Sequence, residues 1–68
     1  MSLIAERLKI LRKRDDISQA QLAEAINVDK AFIGHIEVNK SSISIETLEL
    51  LADFFDVSTD YILGRKDY

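Results

Sequence analysis

Cysteine is absent from this chain of 68 residues, which excludes a disulfide framework and any thiolate metal ligand or nucleophile. Packing alone must hold it together, and a reducing interior suits it. Proline is absent too, and glycine occurs only at Gly34 and Gly64. That composition favours uninterrupted helices over strands joined by Gly/Pro turns. No apolar run approaches the roughly 18 residues needed to cross a bilayer. Met1 to Ile10 mixes charge with apolar residues where a signal peptide needs an unbroken apolar segment, so the expected location is cytoplasmic. A single histidine and no glycine-rich loop leave nothing from which to build a metal cluster, a Ser-His-acid set or a phosphate cradle. Neither an enzyme nor a cofactor, metal or small-molecule ligand is expected.

What is present is apolar residues, 47% of the chain, arranged at helical spacing. A single domain over residues 1–68 is expected, with a core that supplies only about 3 to 5 kcal/mol of net stability. Ile4, Leu8 and Leu11 share one face of a first helix. Four later helix starts repeat one local pattern: a capping side chain with apolar residues one position before and four positions after it. Ser18 lies between Ile17 and Leu22, Asp29 between Val28 and Ile33, Ser44 between Ile43 and Leu48, and Ser58 between Val57 and Ile62. Each is an N-cap with a hydrophobic staple, and Gln21 completes a capping box with Ser18. Asn27, Asn39 and Gly64 stand where a left-handed residue ends a helix. The pattern predicts helices over residues 2–14, 19–26, 30–38, 45–55 and 59–63, an all-α fold of five helices.

The net charge of −3 is segregated. Residues 1–14 carry Arg7, Lys9, Arg12, Lys13 and Arg14 against Glu6, a local +4; residues 46–63 carry five acids and no base, a local −5. A basic end of this kind either steers binding to phosphate or complements the carbonyl end of the first helix; charge alone leaves both readings open. Residues 19–38 join two short helices through a turn too brief for them to lie antiparallel. Ala23 supplies a small contact residue, Asn27 a left-handed turn residue, and Leu22, Ile26, Val28, Ile33 and Ile36 an apolar underside. This is the pattern of a helix-turn-helix.

From ERLKILRKRDDISQAQLAEAINV through IETLELLADFFDVSTDYILG the chain closely resembles the phage-repressor family of helix-turn-helix regulators, also called xenobiotic-response-element-like. The ISQAQLA segment, the IGHIE end of the third helix and the closing DYILG stand at the family's spacing. The resemblance implies a lambda-repressor-like domain of prokaryotic or phage type, a transcriptional repressor that binds double-stranded DNA with its third helix in the major groove. It also implies residue roles. Lys30, Ala31, Gly34 and His35 would face base edges. Arg12, Ser18, Gln19, Asn39, Lys40, Ser41 and Ser42 would contact phosphates, and Arg12 and Glu37 would form a structural salt bridge. Without the resemblance, a lone histidine such as His35 is more often a solvated surface residue than a base reader, Lys30 reads as a first-turn lysine, and Phe32 suits the DNA backbone and helix packing equally.

Several positions depart from the family. Ala31 and Gly34 offer no polar head where relatives often present one; Asn39 and Asp16 stand where Gly is favoured, and Ile43 where Pro is. Leu50, Phe54, Tyr61 and Ile62 form an apolar surplus at the fourth and fifth helices, expected to make a homodimer that reads an inverted repeat with half-sites about 34 to 36 Å apart. The same surplus suits a second reading, an antitoxin-like or restriction-modification controller protein acting mainly through a protein partner.

Overall fold

The computed structural model describes residues 3–39 and 42–67. Among the described residues five helices follow one another: α1 (Ile4–Asp15), α2 (Gln19–Ala25), α3 (Lys30–Glu37), α4 (Ile45–Phe55) and α5 (Thr59–Leu63). α3 packs against α1 and α2, and α5 packs against α1 and α4. No helix among the described residues is long and apolar enough to cross a membrane.

Every helix contributes to one core. Leu8 and Leu11 come from α1, Leu22 and Ala23 from α2, Ile33 and Ile36 from α3, Leu51, Ala52 and Phe55 from α4, and Ile62 from α5. Ile4, the third member of the α1 face, packs against this cluster partly buried. Phe32 does the same, so of its two roles the structure favours helix packing. Each large side chain fully withdrawn from water contributes about 1.5 to 3 kcal/mol before the cost of ordering the chain.

The helix starts follow local chemistry. Ser18 Oγ accepts the Gln21 N–H while Gln21 Oε1 accepts the Ser18 N–H, a complete capping box. Ser44 and Ser58 accept the N–H groups of Thr47 and Tyr61. Asp29 has the extended backbone of an N-cap, φ −73° and ψ 144°, but its side chain makes no capping hydrogen bond, which corrects that one expectation. All four staple pairs lie in the core or against it.

The stops share a unit that the sequence reading found only in part. Asp16-Ile17-Ser18, Asn27-Val28-Asp29 and Asp56-Val57-Ser58 each place a left-handed residue (φ 54°, 61° and 56°) before a β-branched residue and a cap. In each, the β-branched residue's N–H closes on the carbonyl five residues back: Ile17 on Arg12, Val28 on Ala23 and Val57 on Ala52, at 2.9–3.0 Å. These are Schellman closures, and the apolar residue that makes the bond also turns into the core. Asp56 was not among the expected stops. α2 and α3 each end one residue earlier than expected, with Ile26 and Val38 as C-caps, and α1 runs from Ile4 to Asp15 rather than from residue 2 to 14.

Candidate nucleic-acid interface

The short Asn27-Val28-Asp29 turn links α2 to α3, and apolar contacts decide which side of α3 faces inward. Ile33 and Ile36 are buried, so the opposite side carries the exposed Lys30, Ala31 and His35 and the half-exposed Gly34. Four residues proposed from sequence thus stand on one outward face. Gly34 is partly covered: a Cβ there would lie 3.6 Å from Gln19 Oε1, an ordinary van der Waals contact. Val38, missing from the sequence-derived set, is 59% exposed. It lies seven residues beyond Ala31, close to two helical turns, and so continues the same face.

Beneath that face lies a polar network. Glu37 is the buried charged residue of the described chain, 4% exposed. Arg12 Nε donates to Glu37 Oε2, Arg12 Nη2 donates to Oε1 at 2.8 Å, and Gln19 Nε2 donates to the same Oε1 at 3.2 Å. Arg12 Nη1 donates to the Ile17 carbonyl at 2.9 Å. Three segments, the end of α1, the first residue of α2 and the last residue of α3, are thereby tied at one carboxylate. Each nitrogen of the Arg12 guanidinium is engaged within the protein, which makes Arg12 foremost a structural residue. Lys9 and Lys13 on α1 and Lys30 at the start of α3 are exposed.

The Glu37 carboxyl illustrates opposing effects. Burial alone would push its pKa up, but hydrogen bonds from Arg12 and Gln19 and the charges of Arg12 and Lys9 outweigh burial and hold it below its ordinary value of 4.5. The hydrogen bond to Glu37 raises the Arg12 pKa in turn, against its own desolvation. Folding therefore favours the ionised carboxylate. Its contribution is complete above pH 4.5 and is lost as pH falls through the lower, folded-state value. Thermal melting at stepped pH should show stability dropping below about pH 4.5, with a smaller drop in Glu37→Gln. Equal acid sensitivity in both proteins would show that other carboxylates control it.

The remaining proposed residues are distributed as follows. Ser18, Asn39 and Ser42 are exposed, Asn39 with a left-handed φ of 62°. Lys40 and Ser41 lie outside the described residues. Leu50 and Phe54 project from α4 at 47% and 42% exposure. Tyr61 is half-buried, one face of its ring covered by the Arg7 guanidinium at 4.3 Å from the centroid. Ile62 is fully buried in the core and offers no surface to a partner, so its assignment to a dimer interface is withdrawn. Its position as the staple partner of Val57 accounts for that burial. Arg14, counted with the basic end, donates to the Phe55 carbonyl at 3.0 Å and pairs with Asp15, fastening α1 to the end of α4.

The helix-turn-helix family model matches residues 8–62, and the chain belongs to that family. It is 38% identical over 65 residues to the uncharacterized HTH-type transcriptional regulator YobD of Bacillus subtilis (strain 168), covering 96% of this chain and 58% of that protein. It is 30% identical over 63 residues to the immunity repressor protein of Bacillus phage phi105, covering 93% of this chain and 44% of that one. The chain thus spans about half the length of the curated relatives it matches. Among solved structures, the P22 c2 repressor protein in complex with synthetic operator 9T superposes with a TM-score of 0.87 at 29% identity, covering 97% of this chain and all of that one. The all-α fold of five helices is that of the repressor-type helix-turn-helix domains.

Proposed function

We propose that this protein is a sequence-specific transcriptional regulator of the repressor type, which binds double-stranded DNA as a homodimer and inserts α3 into the major groove of an inverted repeat. One observation carries the reading: Lys30, Ala31, Gly34 and His35 stand together on the open side of a helix whose other side is fixed by Ile33, Ile36 and the Arg12–Glu37–Gln19 network. A recognition helix has to be rigid at its back and open at its front. The fold shared with a repressor solved on its operator supports the same reading. In it, Lys30 and His35 supply polar base contacts, while Ser18, Gln19, Asn39, Lys40, Ser41 and Ser42 set the register on the backbone. His35→Ala should lose discrimination at particular base pairs by about 1 to 3 kcal/mol. Competition binding with singly altered operators would measure it, and an equal loss on every sequence would place His35 on the phosphates.

Leu50 and Phe54 support the homodimer, because two large apolar side chains are exposed one turn apart on α4, an element outside the helix-turn-helix, so that pairing through them would leave both recognition helices open. Phe54→Asp places a charge in the centre of that contact. It should yield a folded monomer by sedimentation, with operator affinity reduced by about 10²- to 10⁴-fold as the second half-site is lost. A dimer of unchanged strength would place the interface elsewhere. The same exposed pair also suits a foreign protein partner, and gel filtration with and without operator separates the two cases.

A further inference from the structure

We infer that α3 reads the C5-methyl groups of pyrimidines in addition to the contacts of its polar residues, with Val38 as a specificity-determining residue beside Ala31. The inference rests on the DNA-binding reading above and deepens it by naming what the groove must display. The outward face of α3 is short of hydrogen-bonding groups. Of the five residues on it, Ala31, Gly34 and Val38 carry no polar side chain, leaving Lys30 and His35 as the polar readers. The Gln19 carboxamide, which lies against Gly34, is held by Glu37 through its Nε2. Beyond those two residues, the face has nothing with which to read the donor and acceptor pattern of bases.

Apolar contact is the alternative that the major groove offers, because thymine presents a methyl group there. A lone exposed valine is ordinary on a protein surface. Val38 differs by its place: it closes α3 as the C-cap, where the backbone leaves helical geometry (φ −103°, ψ 12°), and stands two turns beyond Ala31 on the open side. At Asn39 the chain then turns away with a φ of 62°. Seven residues of helix separate Ala31 from Val38 by about 10 Å, the length of about three base-pair steps. The preferred half-site therefore carries two thymines about three base pairs apart, one under each side chain, flanked by the reach of Lys30 and His35.

The test begins with operators enriched by the full chain from a random pool of double-stranded DNA. Each thymine of a half-site is then replaced singly by uracil, which removes only the methyl group. Two positions about three base pairs apart should each lose about fourfold in affinity, the gain expected for burying one methyl-sized group. Val38→Ser, a change at an exposed position that should melt with the parent, should be insensitive to uracil at one of the two positions and remain sensitive at the other. Replacing the sensitive thymine–adenine pair by a pair containing cytosine or 5-methylcytosine identifies the ligand: tighter binding of the methylated form assigns recognition to the methyl whichever pyrimidine bears it. An enriched operator that binds equally well with uracil at every position overturns this inference and leaves the DNA-binding reading standing. A pool from which no sequence is enriched overturns both.

Discussion

Glu37→Ala should lower the stability of the domain by about 3 kcal/mol, most of the net stability that a domain of this size has. Breaking a buried ion pair from one side costs about 3 to 5 kcal/mol, because the partner's charge stays behind without compensation. The lower end applies here, since the Arg12 side chain keeps 17% of its exposure and can reach water once Glu37 is gone. Even so, a domain of this size has only about 3 to 5 kcal/mol to lose. The substitution also strands Gln19 Nε2 and unties the start of α2 from the end of α3. Replacing Arg12 and Glu37 together by apolar side chains of similar volume should recover much of the loss, because no charge then remains to be hydrated. Denaturant melts of the three proteins decide the matter. A Glu37→Ala midpoint equal to the parent's would reduce the network to a surface contact.

What could be read from the sequence follows the range of the interactions involved. Ser18, Ser44 and Ser58 act on N–H groups three residues away, and their staple partners lie within five, so local spacing reveals both. Asp29 shows the limit of that logic: the residue type and backbone suit a cap, yet the side chain takes no part. Asp16 and Asp56 end α1 and α4 in the left-handed conformation, a place where the composition invites a search for Gly or Asn. The repeated Asp-Ile-Ser and Asp-Val-Ser triplets were the available signal. Ile62 belongs to the core because its staple with Val57 points it inward, so the apolar surplus at α4 and α5 is smaller than a count of their apolar residues suggests.

Contacts between distant segments were not legible. The Arg14 bond to the Phe55 carbonyl spans 41 positions, and Arg7 lies over Tyr61 and reaches the Lys66 carbonyl 59 positions away. No periodicity announces such pairs, because they depend on how the helices are placed after the core has formed. The Arg12–Glu37 pairing entered the reading through family resemblance rather than spacing. Val38 was legible in the spacing: seven residues beyond Ala31, three beyond His35 and four beyond Gly34, it falls on the outward face that those residues define.

Affinity for double-stranded operator DNA should fall by about 10³- to 10⁵-fold between 50 and 200 mM salt, if the two protomers of a dimer together grip about six to ten phosphates. The chain's net charge of −3 makes this demanding. A protein acidic overall is repelled by DNA at long range, so binding would have to come from locally concentrated basic side chains, with Lys9, Lys13 and Lys30 exposed for it, releasing counterions as it docks. The ion pairs that engage Arg12 and Arg14 remove part of the basic end from that task and favour the lower part of the range. Titrating one enriched operator with the full chain at stepped salt concentrations tests this binding to double-stranded DNA. A steep linear fall of log affinity with log salt is the predicted result; affinity that stays flat over that interval, or rises as salt screens the net repulsion, would contradict it.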